Sequence, residues 1–322
     1  MNENIPVTFP GLGLSLPVHS SALNIGGFEI KWYGILIAIG LLLAMWYAFR
    51  HCKDFHIKPD DLTDIIIISL ICGVVGARLY YVIFYPSPYG NPYFQNPISI
   101  LFLRDGGLGI YGGIVGALVA AFLVCKKKKI SVGAVFDIAG LGFPIGQALG
   151  RWGNFFNREA YGAATNAWWR MAGVDPSNVN IGYQPCFLFE SIWNIVGFLI
   201  LHKYHKHRKF NGEVFLLYVM WYGFGRFFIE GLRTDSLMIG NIRVSQLVAA
   251  VTFVVALCLI VFKRMKLRQM AADKAAYTPL FTEAARAVED ERKKAEQSVD
   301  ENNGRPADTQ TAEHADKRKD EE

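Results

Sequence analysis

Seven apolar runs divide most of this chain, and their length limits its fold more than any other feature. They are Tyr33–Phe49, Leu62–Tyr85, Asp105–Cys125, Ser131–Leu149, Cys186–Leu201, Val214–Ile229 and Val244–Phe262. A helix crosses the hydrocarbon core of a bilayer in about 20 residues, so runs of this size read as membrane spans. The whole chain is 52% hydrophobic and 14% aromatic over 322 residues, more than a soluble domain of that length needs for a core. The expected class is all-α, a polytopic membrane protein with about seven transmembrane helices in a domain covering residues 1–268.

Charge sets the expected orientation. The lead, Met1–Glu29, has no Lys or Arg, whereas Arg50–Lys58 carries 3 and Lys126–Lys129, Lys203–Lys209 and Lys263–Arg268 carry 4 each. Basic loops alternate with nearly neutral ones, so the positive-inside rule places the N-terminus outside and the C-terminus in the cytoplasm. No basic segment feeds a short apolar core at the N-terminus, and the first span is therefore expected to remain in the mature chain. The longest external stretch, Ala160–Gln184, holds Trp168, Trp169 and Tyr183 and is read as a small external cap. From residue 269 to 322 the chain turns to Ala, Glu, Lys, Asp and Asn, the composition of a solvated, largely disordered cytoplasmic tail, with a possible helix around Leu280–Gln297. The net charge of +5 sits in these short clusters, which argues for topology and against a nucleic-acid partner. Cys52, Cys72, Cys125, Cys186 and Cys258 lack paired spacing and imply neither disulfides nor a zinc site. No internal repeat suggests a two-halved transporter.

Polar residues concentrate in two places. GRWGNFFNREAYG, Gly150–Gly162, follows the fourth run and brings Arg151, Asn154, Asn157, Arg158 and Glu159 together. Continued as a helix, it sets Gln147, Arg151 and Asn154 within about 60° of one another. In the sixth run Tyr222, Arg226, Glu230 and Arg233 fall at roughly 0°, 40°, 80° and 20° on one helix face. An Arg226–Glu230 ion pair alone would explain two of these residues as bundle glue. Ionisable groups at membrane depth more often face a polar cavity or a ligand. Two arginine-bearing faces suit a phosphate, since guanidinium forks match its oxygens, and an anionic lipid headgroup is the natural candidate. Glu159 and Glu230 are positioned to tune those arginines or to take a proton. The glycine pairs of Asp105–Gly113 leave two readings open: close helix packing, or a broken helix end that brings Tyr111 to a cavity.

The signature Gly150–Gly162 resembles that of the bacterial prolipoprotein diacylglyceryl transferases. Similarity extends to WYG at Trp32–Gly34, GGLGIYGG at Gly106–Gly113, QPCFLFES at Gln184–Ser191 and YGFGRFFIEGLR at Tyr222–Arg233. The resemblance implies a multi-pass enzyme of the bacterial inner membrane. It would move the diacylglyceryl group of phosphatidylglycerol onto the lipobox cysteine of a prolipoprotein signal region, leaving a thioether and glycerol phosphate. By position, Arg151, Asn154, Glu159 and Gly162 match the family signature, Tyr222, Arg226 and Glu230 its second essential cluster, and Tyr33 its early tyrosine. No metal or organic cofactor is implied. Many members carry His where Tyr111 stands, His-Pro in place of Gln184–Pro185, and Tyr in place of Phe189. A histidine base at the first position is thus not general, and Glu230, Glu159 and Tyr111 all stay candidates for the thiol proton. Catalytic candidates are Arg226, Arg151, Glu230, Tyr222, Tyr111 and Glu159; substrate-binding candidates add Asn154, Gly162, Tyr33, Arg233 and Gln147. Because no motif residue lies beyond Arg233, truncation after Gln269 is expected to leave cell growth and activity intact; loss of either would give the tail a role.

Overall fold

Helix boundaries follow signals in the loops. The structure, a computed structural model, describes residues 5–25, 28–85, 91–102, 106–234, 238–240 and 242–303. Helix α1 (Trp32–His51) ends with Arg50 and His51 in its last turn and passes into a 3-10 turn, Cys52–Phe55. Helix α2 (Pro59–Ile83) opens on Pro59, Asp60 and Asp61. Proline fits a first turn, where its missing N–H is not needed, and acids there oppose the helix dipole as bases do at the other end. A one-turn α3 (Pro92–Gln95) precedes α4 (Ile110–Lys128), which closes on Lys126, Lys127 and Lys128. Helix α5 (Val132–Phe156) is capped by the Ser131 side chain, which accepts from the Ala134 N–H. Helices α6 (Cys186–Tyr204), α7 (Glu213–Leu232) and α8 (Val244–Asn303) follow.

Six segments are long and apolar enough to cross a membrane: Trp32–Phe55, Pro59–Ile83, Ile110–Lys128, Val132–Phe156, Cys186–His207 and Val244–Ala272. The protein is an all-α, polytopic membrane protein. The expected sixth span, α7, is not among the six, although its 20 residues match a span in length; Glu213, Arg226 and Glu230 dilute its apolarity. Seven expected spans thus become six helices that meet both length and composition and one that meets length alone. Large apolar side chains stay exposed around the bundle, as Trp46 (66%), Ile71 (59%) and Val115 (61%) show. Such faces would aggregate in water and suit acyl chains.

Helix α5 is innermost, packing against α1, α6 and α7, while α2 pairs with α4. That pairing depends on small residues, because a Cβ at Gly76 would lie 2.4 Å from the Gly112 carbonyl oxygen and one at Gly116 2.4 Å from that of Cys72. Close packing is therefore the role of Gly112. Gly106 and Gly107 instead turn the chain at φ +79° each, where a side chain would be strained. Arg78, 4% exposed, anchors that turn. It donates to the carbonyls of Ile100 (2.8 Å), Gly106 (2.8 Å), Gly107 (3.0 Å), Ser99 (2.8 Å) and Phe102 (3.1 Å), which occupies every donor of a guanidinium. Residues 86–90 and 103–105, which include the start of the expected third span, lie outside the described residues.

Above the bundle the expected cap is joined by the N-terminal lead. Strands β1 (Val7–Phe9) and β2 (Leu14–Leu16) pair antiparallel, as do β3 (Ser21–Ile25) with β4 (Phe28–Lys31), and β5 (Met238–Ile239) with β6 (Ile242–Arg243). Thr8 bridges to Ala172, and Val7, Phe9, Val18, Met171, Val174 and Tyr183 form an apolar core with Phe155 and Phe187 at the helix ends. A buried arginine fastens the two layers. Arg158 donates to the carbonyls of Ile5 (2.6 Å), Val18 (2.8 Å) and Gly173 (3.0 Å).

The chain divides into two compact units, residues 1–261 and 262–322. In the second, the described residues continue α8 as far as Asn303. Helix thus runs through much of the stretch where solvated chain was expected, including Leu280–Gln297, since Ala, Glu, Lys and Gln are good helix formers. Residues 304–322 lie outside the described residues.

One titratable pair closes the cap. Asp175 accepts from the Ser177 N–H (2.9 Å) and from the Tyr183 hydroxyl (2.9 Å). The Ser177 N–H first, and then that hydroxyl, hold the Asp175 carboxyl below the usual carboxylate range. Burial and the Asp175 charge push the Tyr183 hydroxyl up to about 12. A depressed carboxyl stabilises the fold above its unfolded pKa of about 4 and loses that contribution as pH falls. A raised phenol contributes fully below about 10 and loses it as pH climbs further. Replacing Asp175 with Asn should therefore lower the melting temperature at neutral pH, with the gap to wild type shrinking as pH drops below 4. A gap that does not change with pH would refute this role.

Candidate functional site

Three helices converge beneath the cap, each bringing charge. Glu190 of α6 is 4% exposed and lies between arginines from both neighbours. Its Oε2 is 2.6 Å from Nη2 of Arg151 on α5, and its Oε1 is 2.8 Å from Nη1 of Arg226 on α7. Nη1 of Arg233, just past the end of α7, is 3.8 Å from the same Oε1. On its other side Arg226 meets Glu230, Nη2 to Oε2 at 2.5 Å, and Glu230 is 2% exposed. The i,i+4 pair expected on this helix therefore exists, but as one edge of a larger network. Among the described residues, Arg151 and Arg226 share Glu190 and Glu230 between them, with Arg233 alongside. Arg151 and Arg226 keep 21% and 16% of their side chains accessible, which leaves guanidinium surface within reach of an anion.

Helix packing sets this geometry. Trp193 on α6 and Trp221 on α7 stack at 4.2 Å, and each indole N–H donates to the other's backbone carbonyl, at 3.0 and 2.9 Å. Gly225 and Gly197 make room, since a Cβ at either would meet the facing indole at 2.1 and 2.3 Å. Helix α5 is tied to α6 through Ser191, which donates to the Ala148 carbonyl (3.0 Å) and accepts from the Trp152 indole (3.2 Å). The register that brings Glu190 between Arg151 and Arg226 is thus held from two sides.

The rest of the signature wraps the cluster. Arg151 leans on the Asn154 amide oxygen at 3.5 Å, and the Asn154 amide donates to Glu159 Oε1 at 2.9 Å. Asn157 donates to the same oxygen at 3.2 Å, so two amides hold an exposed carboxylate. Arg158 and Ala160, on either side of Glu159, take φ of 54° and 56°. These are sparsely populated values for residues with side chains. Tyr33 lies against Gly153, where a Cβ would come within 2.4 Å of the tyrosine ring. Gly162 bridges to Arg233, and its own Cβ would strike Gln184, Cys186 and the Leu232 carbonyl within 2.8 Å. It places the end of α7 against the cap.

Deeper in the bundle, Gln147 donates to the Tyr218 hydroxyl at 2.9 Å, and Tyr222 stacks on Tyr218 at 6.0 Å between ring centres. Tyr111 stands apart. It is 66% exposed at the start of α4 and touches Tyr80, with no contact to the arginine cluster among the described residues. Glu190 and Tyr218 were not among the candidates read from the sequence. The signal for Glu190 was an acid inside the fifth apolar run, where three intramembrane arginines needed more negative charge than Glu230 supplies. Nothing marked Tyr218, one of many aromatics on an apolar face. Replacing Glu190 with Ala should cost about 3–5 kcal/mol, the range for a buried ion pair that loses one partner. The same change at exposed Glu159 should stay within about 1 kcal/mol. Denaturant unfolding in detergent compares them, and equal losses would refute Glu190 as the hub.

Known proteins match most of the length of this chain. Residues 20–262 match the family model described as prolipoprotein diacylglyceryl transferase. The chain is similar to the phosphatidylglycerol–prolipoprotein diacylglyceryl transferase of Enterococcus faecalis, 45% identical over 257 residues, covering 77% of this chain and 91% of that one. The enzymes of the same name from Clostridium novyi and Staphylococcus aureus are each 42% identical, covering 76% of this chain and 96% and 89% of theirs. The matched region takes in every helix that carries the site, and the chain belongs to the prolipoprotein diacylglyceryl transferase family.

Proposed function

We propose that the protein transfers the diacylglyceryl group of phosphatidylglycerol to the thiol of a lipobox cysteine in a prolipoprotein signal peptide, the first step of lipoprotein maturation. The observation that carries this reading is the cluster of arginines around Glu190, a buried polar centre at one end of a lipid-facing bundle, with Arg151 and Arg226 partly accessible. Its chemistry fits an anionic phosphodiester headgroup. The sulfur attacks the diacylglyceryl carbon that bears the phosphate ester oxygen. A C–S bond forms, the C–O bond breaks, and glycerol phosphate leaves with the electron pair. Arg151 and Arg226 hold the phosphate and stabilise the charge that grows on the leaving group, with Arg233 beside them. Fixed donors aimed at developing charge are the largest contribution to expect. Glu190 and Glu230 keep those guanidiniums aligned.

A cysteine thiol has an ordinary pKa of about 8.5, so transfer needs a base or a cationic field. Glu159, exposed and held by two amides, and Glu230, joined to Arg226, are the carboxylates of the site that can take the proton. Tyr111 lies away from the arginines and suits a part in substrate contact at the α2–α4 hairpin. Asn154, Tyr33, Gly162, Gln147 and Tyr222 shape the pocket around the headgroup. The basic loops support an orientation with the Lys-rich end in the cytoplasm and the cap outside, in the bacterial inner membrane. The segment beyond Gln269 is an appendage to the catalytic domain.

Purified protein mixed in detergent with phosphatidylglycerol and a lipobox peptide should yield a diacylglyceryl adduct by mass spectrometry, lost when the peptide cysteine becomes Ser. Arg226→Ala should reduce its formation by about 10²-fold or more, the scale for losing one transition-state donor. No adduct from folded wild-type protein would overturn the transferase reading, and wild-type rates in the variant would overturn the phosphate clamp.

A further inference from the structure

At the basic end of the bundle, far along the helices from the arginine cluster, lies a second group of polar residues that the transfer chemistry does not use. His51 closes α1, Asp54 sits in the 3-10 turn after it, and His205 follows α6. One carboxylate oxygen, Asp54 Oδ2, is 3.0 Å from His51 Nδ1 and 3.3 Å from His205 Nε2. The three ligand atoms all lie within 4.8 Å of one another.

The tautomer of His205 decides what this contact means. Its Nδ1 is bonded to the His202 backbone carbonyl, which only accepts, so Nδ1 carries the hydrogen. In the neutral ring Nε2 then presents a lone pair to a carboxylate oxygen, two acceptors face to face, an arrangement that a cation shared between them satisfies. A backbone carbonyl that fixes the far nitrogen is also the usual support behind a metal-bound histidine. His205 is 1% exposed, so its ring is held in place. Around a tetrahedral ion with bonds of about 2.0–2.1 Å, neighbouring ligand atoms are about 3.3–3.4 Å apart. The separations of 3.0 and 3.3 Å approach that edge.

We propose that His51, Asp54 and His205 bind one divalent transition metal of the zinc class, with water completing its shell. Two imidazoles and a carboxylate form a donor set suited to such ions. Access comes from an open cleft of about 410 Å³ that borders Asp54 beside His56, Lys206 and Arg208. The bound ion clamps the turn after α1 to the end of α6. Arg208 supports this from outside: its Nη2 donates to the Asp54 carbonyl at 2.6 Å and its Nη1 to the His205 carbonyl at 3.0 Å. His202 lies beside both imidazoles, 5.3 and 5.2 Å between ring centres, with its own Nδ1 bonded to the Tyr47 hydroxyl at 2.7 Å.

The test is zinc binding by the full-length protein in detergent, stripped with chelator and equilibrated with Zn²⁺ by dialysis. Wild type should bind one ion per chain and melt at a higher temperature with zinc than without. Asp54→Asn should weaken binding at least about tenfold, within the range for damaged metal sites, and abolish the thermal shift while melting normally without metal. His51→Gln, at a part-exposed position, serves as the second variant if Asp54→Asn misfolds. Zinc bound by wild type no better than by a folded variant would overturn the proposal, leaving a protonated His205 to explain the contact.

Discussion

A carboxylate buried between two arginines is the interaction on which this structure turns. Glu190 is in contact with Arg151 and Arg226 at once, and each of the three residues belongs to a different helix. In a low-dielectric bundle such charges are tolerated only when paired and hydrogen-bonded, because removing any one leaves another uncompensated. The Trp193–Trp221 stack and the Ser191 bridge hold the helices in the one register that satisfies the charges. Farther along, Asp137, fully buried on α5, accepts from the N–H groups of Gly212 (2.8 Å) and Phe215 (2.9 Å) at the start of α7. Helix α7 is therefore fixed to α5 near its first turn and to α6 through Arg226.

The arginines divide by what satisfies them. Arg78 and Arg158 are 4% and 6% exposed, and their described bonds run to backbone carbonyls. Each spends its donors on ordering loops: Arg78 the glycine turn before α4, Arg158 the cap and N-terminal lead. Arg151, Arg226 and Arg233 instead meet at a shared carboxylate, Glu190. A guanidinium saturated by carbonyls is a structural pin, whereas one that shares a carboxylate keeps charge and donors for a ligand. Sequence position does not separate these cases, since Arg151 and Arg158 stand seven residues apart in one motif.

Much of the site was nonetheless legible. Helical spacing placed Arg226 and Glu230 on one face and Gln147, Arg151 and Asn154 on another, because a span of regular helix turns spacing directly into direction. Glu190 escaped that logic, since one acid among aromatics on its own helix carries no periodic signal. Its partners come from α5 and α7, distant in sequence. For Tyr111 the glycine-rich neighbourhood left close packing and a cavity both open, and α2–α4 packing sets it against Tyr80. Helix α7, which carries Glu213, Arg226 and Glu230, is not among the six helices that meet both length and composition for a span, so the count of seven does not rest on composition alone.

By itself the sequence determined the class of the protein, its helices and its basic and neutral ends, because bilayer thickness, charge and helical repeat act on the chain locally. Only the tertiary structure decided which charges meet. The pairing of Glu190 with two arginines, the seating of the N-terminal strands on Arg158 and the meeting of His51, Asp54 and His205 all join segments far apart in the chain. Such contacts are set by helix register and burial, where an unpaired charge is too costly to leave.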